Sequence, residues 1–502
     1  MDLSSAVSAT VSTLRRRPAD LLPFYLLGTA VPVISRIGLF TALAGVYVHF
    51  ELTGRLATAR ESLGGIDLTP PDTQDPEALQ AWSESLAPAL EPLASPTAVA
   101  LLLAGTAATA AIAVVTYAAV SAGQMSAVVA RLRSDRGLTA GVAGVRDRWL
   151  TFLGIYVAEL LCWLGVFLLG GLAIGGAFVV NPFVGAAAAL VVLLVGFVAL
   201  LLVRVVFAFA PAAIVVDDAG ALGAVEGAGG FVRSNPADAA AYLVVAVGVL
   251  VGISSVASGL AFLGGGAVVA LVSAVVAAPA LDLLKTVLYG DHRGAVDPLD
   301  PPAAGVRSQF TGGIRRGWRE MIAFVRGAPG PHALVIAVGV GFGALGWLAA
   351  DPFVGSVTTS IESRLVGHIP PVAALTFFGN NLGVAIATSL AGVALVIPAL
   401  SSIAFNGFAL GATAALEANL AALAAFVAPH GILEIPALFV SGALGVRLGV
   451  VSWGTLRGRR SRAEFADALE GAFWVLVGVG VLIAVAAVIE GFVSPYYWRP
   501  FL

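Results

Sequence analysis

In the run Pro429-His430-Gly431-Ile432-Leu433-Glu434 an imidazole and a carboxylate stand four residues apart, so a helix would set both on one face. Pro429 suits the first turn of such a helix, which puts the pair at the start of an apolar segment near the outer face of a membrane. An ionisable side chain there is costly unless it is partnered, and by default it marks function. A structural arrangement would also satisfy the pattern, with Glu434 stabilised by its own helix N-terminus and His430 hydrogen-bonded. His430 and Glu434 could further give two ligands to zinc, with His368 as a third, in the manner of an outer-face metalloenzyme. Such a site needs residues distant in sequence to converge, so the sequence by itself sets the expectation at no resident metal or cofactor.

Other polar residues fall in the same region. Asn380 and Asn381 follow Phe377-Phe378-Gly379, Asn406-Gly407 interrupts an apolar run, and Glu417, Asn419 and Arg447 lie within or beside apolar segments. Asn406-Gly407 is expected to unwind its helix locally and free backbone carbonyls. Arg447 is expected to find a carboxylate, Glu417 or Glu434. The candidate functional set is therefore Asn381, Asn406, Gly407, Glu417, His430, Gly431, Glu434 and Arg447, with interhelical hydrogen bonding as its simplest work. Nearer the N-terminus Arg36, Glu159 and Arg204 are the isolated charges, and an Arg–Glu pair would neutralise two of them. Cys162, the single cysteine, permits no intramolecular disulfide and reads as a small core residue. A Walker loop and a serine-hydrolase elbow are both missing, and Gly264-Gly265-Gly266 lies between apolar runs instead of after a strand.

These residues need elements to position them, and composition says what kind. Of 502 residues 59% are hydrophobic and 11% charged, against roughly a quarter charged in soluble domains. Runs of about 20 apolar residues can each cross a hydrocarbon core. They are apolar on every side, unlike the alternating strands of a membrane barrel. The expected fold is all-α: a polytopic helical integral membrane protein with about 11 transmembrane helices in two bundles of about six and five. Leu21–Phe50 is too long for a signal h-region and reads as the first span. The ninth and tenth spans read as Ser402–Val427 and Ile432–Trp453.

Short arginine-rich segments set the orientation. Arg15 to Arg17, Arg131 to Arg148, Arg293 to Arg326 and Arg457 to Arg462 fall on one side of such a chain, so the N-terminus is expected inside and the C-terminus outside. Residues 1–290 read as a six-span domain with an acidic extracellular loop at 51–95. That loop reads as solvated, broken at Pro70-Pro71, with Asp67 and Asp72 among its acids and Glu77–Leu93 able to form short amphipathic helices. Residues 291–331 read as a cytoplasmic Arg/Pro-rich linker, marked by Asp297-Pro298 and Asp300-Pro301-Pro302. It carries an amphipathic helix with Ile314, Trp318, Ile322 and Val325 opposite Arg315, Arg316 and Arg319. Residues 332–502 read as a five-span domain. The net charge of −3 gives no footprint for nucleic acid.

Phe378-Gly379-Asn380-Asn381, Phe405-Asn406-Gly407-Phe408-Ala409-Leu410-Gly411 and above all Pro429-His430-Gly431-Ile432-Leu433-Glu434 make about 331–492 resemble the stage II sporulation protein M family. That resemblance implies a non-enzymatic membrane component, similar in role to a scaffold that holds cell-wall hydrolases at a membrane. It carries Asn381, Asn406, His430, Gly431 and Glu434 over as motif positions. About 14–289 looks loosely like the six-span membrane domains that accompany glycerophosphodiester phosphodiesterases, without a catalytic domain. The expected function is a non-enzymatic scaffold or accessory subunit of a membrane complex. The alternative is a transporter, permease or lipid-handling protein using the polar intramembrane cluster, and third comes the outer-face metalloenzyme. Expected partners are membrane lipids and membrane or extracellular proteins, with the oligomeric state open. The expected location is the cytoplasmic membrane of a prokaryote, archaea included.

Overall fold

Helices start where the sequence supplies a cap and a proline that cannot continue a preceding helix. Ser95 accepts a hydrogen bond from the Ala98 amide before Pro96, and Asn181 accepts one from the Phe183 amide before Pro182. Asn419 caps the next-to-last long helix through the Ala422 amide, and Ser461 with Glu464 forms a capping box on the last. The computed structural model describes residues 2–64, 66, 75–261, 266–296, 302–355 and 357–499. Asp67, Pro70-Pro71, Asp72, Gly264-Gly265, Asp297-Pro298 and Asp300-Pro301 lie outside the described residues.

Among the described residues 11 helices are long and apolar enough to cross a membrane, as expected. Numbered in chain order, the first six are Leu22–Leu52, Pro96–Leu132, Gly137–Val180, Pro182–Val216, Pro236–Leu260 and Gly266–His292. Spans 7 to 11 are Pro329–Phe353, Pro370–Ala391, Ile397–Ala415, Leu420–Leu456 and Arg462–Phe492. The chain is an integral, multi-pass membrane protein. Span 1 is kinked at Arg36 between Leu22–Ser35 and Ile37–Leu52, just after Pro32, which has no amide to donate within the helix.

Two expected boundaries are corrected. Span 9 is Ile397–Ala415 and ends well before Val427. Span 10 begins at Leu420, not Ile432, because Asn419 caps it. Pro429 and Pro436 therefore lie inside the helix, and each removes one intrahelical donor. His430 and Glu434 sit well along a continuous helix instead of at its mouth. Asn406-Gly407 unwinds nothing either. Span 9 is continuous, the Asn406 side chain donates to the Ser402 carbonyl at 2.8 Å, and Gly407 packs backbone to backbone on Gly339 of span 7.

Spans 3 to 5 leave wide apolar surfaces, such as Leu161 at 61% and Phe197 at 65% exposure, which a lipid solvent accommodates. Cys162 lies on that surface and not in the core, since hydrocarbon and protein interior suit a thiol equally.

Spans from both sides of residues 291–331 share one continuous buried core. Span 1 packs on span 8, and span 11 packs on spans 3 and 1. At one end of the molecule, here the Arg-rich end, Arg136 pairs with Asp467, Arg316 with Glu470 at 3.3 Å and Arg462 with Asp147 at 3.4 Å. Buried there, Asp20 accepts from the amides of Gly137 and Leu138 and lies 3.6 Å from Arg131.

The expected amphipathic helix is present as Val306–Gly327. It buries Gly317, Met321 and Phe324, while Trp318 and Val325 are 42% and 39% exposed. The buried stripe is thus turned from the one that the apolar spacing marked, because the glycine lets the helix approach Val477 and Gly478 of span 11. In the acidic loop, helices Arg55–Leu63 and Pro76–Leu90 form, the second capped by Asp75.

Candidate functional site

Span 10 presents His430 and Glu434 toward the last turns of span 11. There Glu490 is added, and Ser494 follows in the short helix Ser494–Tyr497. One ligand atom each of His430, Glu434 and Glu490 lies within 4.8 Å of the other two. His430 Nε2 is 3.8 Å from Glu490 Oε1, and its Nδ1 is 2.9 Å from Ser494 Oγ. Phe426 meets the imidazole edge-to-face at 5.7 Å. Asn381 of span 8 lies near the Glu434 carboxylate. Glu434 Oε2 and Glu490 Oε2 are buried with no hydrogen-bond partner among the described residues.

The cluster borders a cavity of about 530 Å³ lined by Asn406, Gly407, His430, Gly431, Glu434 and mainly apolar side chains. A second cavity of about 640 Å³ is lined by Arg36, Asn380, Ser402 and Asn406, and it shares Thr388 and Asn406 with the first. The small residues that shape the first are required by contact. A Cβ on Gly407 or Gly411 would strike the backbone of span 7 at Gly339 or Gly343.

Six of the expected residues, Asn381, Asn406, Gly407, His430, Gly431 and Glu434, meet in this region; Glu417 and Arg447 do not. Glu417 lies just before span 10, with its side chain 1% exposed. It accepts from Arg364 at 2.9 Å, from the Thr359 hydroxyl at 3.0 Å and from the Ile361 amide at 3.1 Å. Arg447 is not paired with Glu417 or Glu434, contrary to expectation. It follows Glu434 by thirteen residues on the same helix, about 20 Å along the axis. At the Arg-rich end it stacks over Phe324 at 5.6 Å and lines a cavity with Glu320, Glu464 and Asp467. His368 is absent from the cluster, because its Nε2 faces the Gly491 carbonyl at 2.9 Å.

Glu490 and Ser494 escaped the sequence reading. Glu490 carried a usable signal, since it is an acid inside an apolar helix two residues from its end. Ser494 carried none. In the first half the expected Arg–Glu pair is Arg204–Glu159 at 2.9 Å. That pair belongs to a larger polar group which sequence spacing does not reveal. Lys285 contacts Asp282 at 2.6 Å, and the Tyr25 hydroxyl donates to Asp282 at 2.9 Å. Lys285, Glu159, Arg204, Tyr156 and Tyr242 line a cavity of about 570 Å³.

Residues 332–495 match the family model of Stage II sporulation protein M. The matched segment holds all eight expected residues together with Glu490 and Ser494, so the likeness read from the motifs stands for this half. No curated protein and no solved structure matches the chain.

Proposed function

We propose that the protein is a non-enzymatic scaffold or accessory subunit of a membrane complex, oriented with its N-terminus inside and its C-terminus outside. The observation that carries this reading is the bracing at the end opposite the arginines. There Glu417 ties residues 359–364 to the start of span 10, His368 bonds to Gly491, and His430 bonds to Ser494. These bonds tie residues 359–368 and the short helix Ser494–Tyr497 to spans 10 and 11. The same region exposes Val366 at 83%, Ile369 at 54% and Tyr496 at 52%, large apolar side chains of the kind that anchor a partner or the membrane interface. The match of residues 332–495 to Stage II sporulation protein M supports the reading.

The test is purification of the tagged full chain from its host in mild detergent, beside a Val366→Glu variant of equal expression. A protein recovered with the first and lost with the second is the expected result. Wild-type protein that is folded and recovered alone counts against a scaffold. The two neighbouring cavities along span 9 favour a second reading, lipid or solute handling. Flux or lipid exchange in reconstituted vesicles, with no co-purifying partner, would put that reading first.

A further inference from the structure

We infer that His430, Glu434 and Glu490 form a binding site for one divalent metal ion of the zinc class. An imidazole nitrogen and two carboxylate oxygens converge from two helices within 4.8 Å. The donor set suits zinc, which takes nitrogen and oxygen ligands and tolerates three protein ligands with one further position. The 3.8 Å between His430 Nε2 and Glu490 Oε1 is close to the roughly 3.4 Å edge of a tetrahedron built on bonds of about 2.1 Å. Modest side-chain adjustment closes the rest.

The surroundings say that something positive belongs there. The side chains of His430 and Glu490 are 7% and 12% exposed, and one oxygen of each glutamate is buried without a donor among the described residues. Among the described residues, neither glutamate has an arginine or lysine within salt-bridge distance. Two carboxylates brought together in a low-dielectric helix bundle repel each other and lose hydration, and a dication reverses both costs at once. Supporting contacts are of the kind that metal ligands have. With Nδ1–H donating to Ser494 Oγ, the imidazole presents the Nε2 lone pair to the carboxylates. His430 and Glu434 also line the cavity of about 530 Å³, which gives room for a water or small ligand on the ion. This inference does not rest on the scaffold reading, since an ion there would serve equally as a brace between spans 10 and 11.

The experiment uses the full chain purified in detergent, stripped with a chelator and titrated with Zn²⁺ against a competing fluorescent indicator. Mg²⁺ and Ca²⁺ serve as comparisons. The wild type is expected to take one Zn²⁺ per chain and to prefer it to both. Glu490→Gln and His430→Ala are expected to weaken binding at least 100-fold, and Ser494→Ala by about 10- to 100-fold. Glu417→Gln, a buried carboxylate outside the cluster, is expected to bind as wild type. Size-exclusion profile and circular dichroism establish that each variant is folded; if Glu490→Gln is not, Ser494→Ala decides. Folded wild type that binds no Zn²⁺ overturns the site. So does a folded Glu490→Gln that binds like wild type, a Ser494→Ala that does so when it decides, or a Glu417→Gln that loses binding as far as Glu490→Gln.

Discussion

Glu417 and Glu434 are carboxylates of the same apolar half, and their neighbours give them different work. Glu417 is saturated by Arg364, Thr359 and the Ile361 amide, whereas Glu434, beside His430 and Glu490, keeps an oxygen with no partner among the described residues. Glu417→Ala should therefore cost stability, about 2 kcal/mol from hydrogen bonds to a charged group, and leave Zn²⁺ binding unchanged. Arg364 is 36% exposed, which keeps the loss below that of a fully buried pair. Unfolding of the purified protein in detergent reads the first effect and metal titration the second. Arg447→Ala removes a cation held over Phe324 and should cost about 1 kcal/mol, again with Zn²⁺ binding intact. A parallel loss of Zn²⁺ affinity would mean that Arg447 acts on the distant cluster after all. From spacing alone Arg447 reads as a partner for Glu417 or Glu434; thirteen residues along one helix separate it from Glu434, and Glu417 is taken by Arg364.

Spans 7 and 9 illustrate what glycine does at the scale of elements. Gly346 faces the backbone of Phe408, so an added methyl has nowhere to go, while Gly341 on the same helix faces open space. Gly346→Ala should destabilise the protein by about 1–3 kcal/mol, and Gly341→Ala should be neutral or stabilising by up to about 1 kcal/mol from helix propensity. Thermal unfolding of the two variants side by side makes the comparison; equal behaviour would remove the close helix approach as the reason for these glycines. The amphipathic helix Val306–Gly327 makes a related point. Its existence follows from apolar spacing, but which stripe is buried depends on where Gly317 lets span 11 come in.

At the scale of the whole molecule, the arginine-rich segments and the shared core bind the two halves. The ion pairs Arg316–Glu470 and Arg462–Asp147 are partly exposed, and such pairs contribute about 0–1 kcal/mol each. The apolar contact of span 1 with span 8 and of span 11 with span 3 should dominate. A full chain cut at a protease site introduced within 297–301 should hence stay together in detergent even at 1 M salt, about a 3 Å screening length. Separation on size exclusion would show that the ion pairs hold the halves. For orientation, cysteines introduced as Asp2→Cys and Arg499→Cys in a Cys162→Ser background should differ. An impermeant maleimide is expected to reach position 499 in intact cells and position 2 only after permeabilisation, and the reverse pattern would invert the topology.

What the sequence determined by itself was the membrane class, the all-α fold and the number of spans. Each follows from local apolar length, and each helix satisfies its own backbone hydrogen bonds without help from its neighbours. The motif positions on span 10 were visible for the same local reason. Only the tertiary structure decided that Glu490 joins His430 and Glu434, that Glu417, His368 and Arg447 do other work, and that both halves share a core. Convergence across different helices depends on packing angle and depth, which no spacing along one chain encodes.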